Sequence, residues 1–264
     1  MKPVTGTPIF EAERFGNIRE LILTSCERHA ASDAFIFRRN PKQSEIHRSF
    51  AEFGEDIRDL GTYLVNSKYK GDRLAVVGEN CYEWFVSYIS ILSSDSVGVP
   101  LDRMLPEDEL IALLERSSSK VLFYHPKHHP MMMSISKKQK EGTIDIAVEK
   151  YVCMYKDGLA KSDVWPGDDD RFVSFGDLLE EGRKLRNGGD DKFVNTPIAE
   201  EETRIILFTS GTTSMSKGVL LSHKNICSNV YSITQTLYVK EGDRAFSILP
   251  LHHTFENTCD MFIL

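Results

Sequence analysis

Short apolar runs alternate along this chain with segments whose apolar residues recur every three or four positions. That alternation leaves few architectures open. Ser49 followed by Glu52 is a capping-box pattern, and the segment it opens carries Phe50, Phe53, Ile57, Leu60 and Leu64 on one helical stripe. Gly71-Asp72 reads as a turn and Leu74-Ala75-Val76-Val77 as a buried strand. A helix over Glu83 to Leu92 and a strand at Val97-Gly98-Val99-Pro100 follow. Pro106 then starts a helix whose first-turn acids, Glu107, Asp108 and Glu109, favour the helix dipole. That helix runs through Leu110, Leu113 and Leu114, and Val121 to Tyr124 supplies the next strand.

Farther along, Tyr151 to Tyr155 reads as a strand and Phe175 to Leu185 as a helix. Ile205 to Phe208 and Val219 to Leu221 are strands around a tight polar loop. Ser222 caps a helix expected through Leu237, and Ala245 to Leu249 is expected as a final strand. Residues 125–150 show no clear pattern. Asn187 to Glu202, with Gly188-Gly189 and five acids, is the best candidate linker. No internal repeat is present. Strand–helix–strand order of this kind predicts an α/β fold with mostly parallel sheets flanked by helices.

At 264 residues, with 41% hydrophobic and 27% charged residues, the chain is long and apolar enough to fold without staples, and it is neither disordered nor fibrous. A net charge of −7 argues against wholesale nucleic-acid binding. Cys26, Cys81, Cys153, Cys227 and Cys259 are widely spaced, with no C-x-x-C pair, so neither a disulfide framework nor a zinc site is expected. Buried thiols in a reducing cytoplasm are the simpler reading. Met1 to Gly6 lacks the apolar core of a signal peptide, and the Trp84 to Leu92 stretch is too short to cross a bilayer. The sequence stops inside the apolar run Cys259-Asp260-Met261-Phe262-Ile263-Leu264, so a continuation is expected.

His125, His128 and His129 beside Met131-Met132-Met133 could be taken for a soft-metal site. Without a completing carboxylate or cysteine, and with lysines nearby, a solvated surface segment is the expectation. The acidic run Asp168-Asp169-Asp170 follows Pro166-Gly167 and reads as a turn. No G-x-S-x-G elbow of an α/β-hydrolase occurs.

The loop Thr209-Ser210-Gly211-Thr212-Thr213-Ser214-Met215-Ser216-Lys217-Gly218 concentrates hydroxyls, two glycines and a lysine. Glycine lets backbone N–H groups approach an anion, hydroxyls donate to phosphate oxygens, and lysine adds a mobile positive charge. A flexible polar hairpin loop has a similar composition, so composition alone leaves both readings open. A Walker A loop is excluded, because Ser216 stands where that motif needs glycine before the lysine.

The ordered pattern resembles the signature loop of the AMP-forming adenylating enzymes, which include acyl-CoA synthetases, luciferases and peptide-synthetase adenylation domains. Ser214 and Ser216 depart from that family's usual glycine and proline. The likeness continues through Ser49-Phe50, Phe53, Leu60-Gly61, Gly71 to Val76, Asn80 to Trp84, Val97 to Leu101, Pro106 to Leu110 and Ser118 to Phe123, in the family's order. Leu249-Pro250-Leu251-His252-His253-Thr254-Phe255-Glu256 resembles the family's acyl-pocket segment, with Glu256 as in the long-chain branch. Residues 125–200 resemble the family only loosely.

The resemblance implies that residues 1–264 are the N-terminal portion of an AMP-binding large domain, with a sub-boundary in the linker 187–202. The rest of that domain and a small C-terminal domain would lie beyond. It implies activation of a carboxylic acid, most like a long-chain fatty acid, by ATP with Mg²⁺, and transfer of the acyl group to CoA. Another adenylate-forming ligase (fatty-acyl-AMP or aryl-acid) and a non-catalytic binding module are the alternatives. Thr209, Ser210, Gly211, Thr212, Thr213, Lys217 and Gly218 would hold the ATP phosphates, and His253, Phe255 and Glu256 would border the acyl group. His252 reads as structural. The family's adenylation lysine, ribose-binding aspartate and main Mg²⁺ ligand have no counterpart here, so the chain alone is expected to be inactive. The expected partners are small molecules in the cytoplasm, with room for peripheral membrane contact but no transmembrane segment and no nucleic acid.

Overall fold

A computed structural model describes residues 6–155, 169–209 and 216–264. Helix α1 (Ile18–Arg28) starts where the Asn17 side chain accepts from the Glu20 amide. A small antiparallel hairpin, β1 (Asp33–Phe37) and β2 (Ile46–Ser49), leads into α2 (Phe50–Asn66). At that junction the expected capping box is complete, with Ser49 and Glu52 satisfying each other's backbone amides. Then come β3 (Arg73–Val77), α3 (Tyr82–Ser93), β4 (Val97–Leu101), α4 (Glu107–Ser117) and β5 (Val121–Tyr124). A 3₁₀ turn (Pro126–His128) precedes α5 (His129–Lys140) and β6 (Lys150–Cys153). Strand β7 (Phe172–Ser174) runs into α6 (Phe175–Asn187) through a second capping box, Ser174 with Asp177. The chain continues as α7 (Lys192–Asn195), β8 (Thr203–Thr209), β9 (Lys217–Ser222), α8 (His223–Thr234) and α9 (Thr254–Ile263).

Seven strands form one sheet in the order β7-β6-β5-β3-β4-β8-β9, parallel except for the antiparallel β8–β9 hairpin. Alternate residues of each central strand serve opposite faces. Leu74, Val76, Val121, Phe123 and Val152 join the core under α1, α2, α3, α6 and α8. Ala75, Val77, Val99, Leu122, Tyr124 and Tyr151 join the core under α4 and α5. Both faces are covered, which is why β3 and β5 read as continuous apolar runs rather than alternating ones.

Four expectations are corrected. Ala245 to Leu249 forms no ladder with a described strand, and Phe246 and Ile248 are 85% and 68% exposed. Alternation supplies strand propensity, but a strand also needs a neighbouring edge to pair with. Helix α8 ends at Thr234 rather than Leu237. The histidine–methionine segment is not a solvated surface: His125, His129 and Met132 are buried. His129 lies 2.8 Å from the Tyr124 hydroxyl, and Met132 and Ile135 continue that helical face, while Lys137 and Lys140 face out. Asp170 and Arg171 do form a turn, yet Asp169 is buried and accepts from Arg171 at 2.9 Å and Ser136 at 2.7 Å. Those bonds, from Arg171 above all, hold its carboxyl well below the usual carboxylate range. Asp168 lies outside the described residues.

The stretch from Asn187 to Glu202 is docked onto the body. Phe193 is buried against α2 over Gly61, where a Cβ would stand 2.2 Å from the ring. Arg19 reaches the Phe193 and Thr196 carbonyls at 2.5 and 2.6 Å.

Candidate functional site

In open α/β sheets, ligands bind outside the carboxyl ends of the strands, where the strand order reverses. Here the chain steps from β3 outward to β4 and then crosses back to β5, so the reversal falls at β3. Strand β8 runs parallel to β4, with Gly98 opposite Ile205, so its carboxyl end, Thr209, lies on the same side of the sheet. The phosphate-loop candidate therefore leaves the sheet at the end where such folds place their chemistry.

The hairpin register sets Thr209 opposite Lys217 and Phe208 opposite Gly218. The Thr209 hydroxyl reaches the Lys217 carbonyl at 3.5 Å, closing the mouth of the loop. The Lys217 side chain is exposed and, among the described residues, has no ion-pair partner, so its ammonium is free to meet an anion. Gly218 is not forced by crowding: a Cβ there would lie 3.5 Å from Ile206 Cγ2 and 3.6 Å from the Phe208 ring, both ordinary contacts. Ser210, Gly211, Thr212 and Thr213 lie outside the described residues, as does Ser214.

The carboxyl ends of β3, β4 and β5 are tied together. Glu79 meets Arg103 at 2.5 Å and Lys127 at 3.6 Å. His125 bonds the Tyr155 hydroxyl at 2.7 Å, and burial pushes its imidazole down to about 4. Arg39 pairs with Glu83 and lies 4.2 Å over the Tyr155 ring. His125, expected to be solvated, is therefore a buried structural group at the end of β5.

The acyl-segment candidates sit at the start of α9. His253 is the N-cap, its Nδ1 accepting from the Phe255 N–H at 3.3 Å. Phe255 is 62% exposed and Glu256 only 6%, so the two point to different surroundings. Glu256 Oε1 and Asn257 Nδ2 are buried with no protein partner among the described residues. One turn on, burial and the Glu256 charge push the Asp260 carboxyl up to about 7. His252 stands 3.7 Å from Asp102, in keeping with a structural role, and burial lowers its pKa. Among the described residues, no hydrogen bond or ion pair joins this segment to Thr209, Lys217 or Gly218. Sequence reasoning missed Asn80, whose amide bonds the chain on both sides of Pro250. Its only signal was a place within the resemblance.

Two expected groups can be tested against these residues. Thr209 and Lys217 offer a hydroxyl and an ammonium, a donor set that suits phosphate oxygens. For Mg²⁺, the described residues hold no group of three or more His, Cys, Asp or Glu that could bind a metal ion by themselves. No described helix is long and apolar enough to cross a membrane.

The chain is similar to the chloroplastic long-chain-fatty-acid–acyl-carrier-protein ligase of Arabidopsis thaliana, 24% identical over 225 residues, covering 83% of this chain and 29% of the relative. It is 23% identical over 239 residues to crotonobetaine/carnitine–CoA ligase of Citrobacter koseri, covering 90% of this chain and 42% of that one. Its fold matches the solved long-chain-fatty-acid-CoA ligase of Archaeoglobus fulgidus with a TM-score of 0.75 at 19% identity, covering 99% of this chain and 47% of the other. The chain thus spans less than half the length of each of these relatives. The model of the AMP-binding enzyme family matches residues 23–264, and this chain belongs to that family.

Proposed function

We propose that this chain acts as the N-terminal part of a longer ATP-dependent, AMP-forming acid–thiol ligase and is inactive without the remainder. The observation that carries the reading is the β8–β9 register, which sets the Thr209 hydroxyl and the exposed Lys217 ammonium at the mouth of one loop, at the carboxyl end of the sheet. The first step brings a carboxylate to the α-phosphate of ATP, an anion against a polyanion. Fixed donors and Lys217 would offset the β,γ-phosphate charge and stabilise the departing pyrophosphate. Ser210, Gly211, Thr212, Thr213 and Gly218 are assigned to the same cradle, and His253, Phe255 and Glu256 to the acyl wall. Mg²⁺ would accompany ATP as its counter-ion.

A long-chain fatty acid is the substrate we favour, on the Glu256 segment, and CoA the acceptor. The plant relative's name specifies an acyl-carrier protein instead, which makes a carrier-protein thiol the second reading. A cytoplasmic location fits five cysteines joined by no disulfide. ATP–pyrophosphate exchange by the complete protein, across acids of graded length, tests the first step without any acceptor. Product analysis with CoA or a carrier protein then separates the two acceptors. Exchange unchanged in Lys217→Ala would remove Lys217 from the phosphate site.

A further inference from the structure

The turn between β3 and α3 reaches across the chain to the segment that enters α9. Asn80 uses both ends of its amide there. Nδ2 donates to the Leu249 carbonyl at 2.7 Å, and Oδ1 accepts from the Leu251 N–H at 3.1 Å. A primary amide carries one donor group and one acceptor in a single plane, so it reproduces the pairing an adjacent strand would give to two residues of an extended chain. The clamp falls at a transition. Upstream, Phe246 and Ile248 stand in solvent, whereas Leu251 is 5% exposed.

Everything proposed for the acyl wall follows directly from that point. The Pro250 carbonyl accepts from the His253 N–H at 2.9 Å, His253 caps α9, and the His253 carbonyl accepts from the Asn257 N–H at 3.1 Å. Asp102, just past the end of β4, stands 3.7 Å from the intervening His252. The clamp is itself anchored. Glu79 is tied to Arg103 and Lys127, and Gly78 lies so close to His125 that a Cβ would stand 2.4 Å from the histidine Cβ. The loop carrying Asn80 therefore has little freedom, and neither does the segment that it holds.

We infer that Asn80 is a positioning residue for the acyl-binding segment, its amide setting where His253, Phe255 and Glu256 stand relative to the ends of β3 and β4. The clamp rests on geometry alone; its bearing on the acyl group rests on the function proposed above. The two parts are tested separately.

The first test measures amide hydrogen exchange of Leu251 in the 264-residue chain. Losing both bonds in Asn80→Ala should speed it about 10- to 100-fold, while the amides of β3 and β4 keep their protection. Asn80→Asp keeps the acceptor but has a donor only when protonated. At pH 7 its carboxylate faces the Leu249 carbonyl without a donor, so Leu251 exchange should be about 10-fold faster than in wild type. Leu251 exchange within about twofold of wild type in either variant at pH 7 overturns the clamp. Should the alanine variant not fold, the aspartate variant still decides.

The second test uses the complete enzyme. Asn80→Asp should raise KM for the fatty acid about 10-fold at pH 7 and leave KM for ATP within about twofold. An equal change in both, or in neither, overturns the positioning role. If wild-type enzyme shows no exchange with any acid, the proposed function fails and the positioning role fails with it, while Leu251 exchange still reports on the clamp.

Discussion

The Asp59 carboxylate, fully buried in the middle of α2, accepts from the Arg186 guanidinium of α6 at 2.5 Å. Arg183, one turn earlier on α6, binds its other oxygen at 2.8 Å. A buried carboxylate is tolerated when its oxygens are satisfied and is costly when they are not. Arg186→Ala should therefore destabilise the chain by about 3 kcal/mol, near the lower end for breaking a buried pair because Arg183 remains. Urea unfolding would show the lowered midpoint with an unchanged slope.

The same contact depends on a missing side chain. A Cβ at Gly182 would stand 1.8 Å from the Asp59 carbonyl oxygen, so α6 approaches α2 only over bare backbone. The obstacle is backbone rather than a flexible tip, and it cannot move aside cheaply. Gly182→Ala should cost about 2–3 kcal/mol despite alanine's better helix propensity. Gly176→Ala, on the same helix with only Ser174 Oγ at 3.9 Å, should be near neutral by thermal melting.

Stability should respond to pH through two opposing contributions. Burial pushes His125 and His223 down to about 4. Between pH 6.5 and 4 the unfolded chain binds protons that these rings refuse, so stability falls as pH falls through that window. Burial raises Asp260 to about 7, above its unfolded value near 4, so the folded state holds the extra proton. Its contribution is present in acid and lost as pH rises toward 7. Asp260→Asn removes that opposing contribution, and the gain in stability from pH 5 to pH 7 should be steeper than in wild type, as read from urea midpoints at the two pH values.

Folding and chemistry should separate at Lys217. Exposed and outside any described ion pair, it contributes little to stability. Lys217→Ala should melt within about 2 °C of wild type, as surface substitutions usually do. In the complete enzyme the same change should slow pyrophosphate exchange about 10²- to 10³-fold, the usual loss when one charge-stabilising donor is removed. Gly218→Ala should also fold normally, since the Cβ meets only ordinary contacts.

Local chemistry made much of this legible beforehand. The capping box at Ser49 and Glu52, the apolar runs of β3 and β5, and the hairpin strands around the Thr209–Lys217 loop are each written within a few residues. The hairpin register in particular sets Thr209 opposite Lys217 and Phe208 opposite Gly218. Other features depend on partners far away in sequence. The histidines of residues 125–129 looked solvated because nothing nearby shows that Tyr124 and Tyr155 receive them. Ala245 to Leu249 has the alternation of a strand, yet it pairs with no described strand.

By itself, then, the sequence determined the alternation of elements, the parallel α/β class and the strands that flank the Thr209–Lys217 loop, because side-chain periodicity, caps and turn residues act over a single turn or strand. Tertiary structure decided which residues meet. Phe193 lies over Gly61, α6 is seated on Asp59 through Gly182, and Asn80 grips the chain some 170 positions later. Such contacts follow from which surfaces lose water together and which buried polar groups must be satisfied, and both depend on the whole fold.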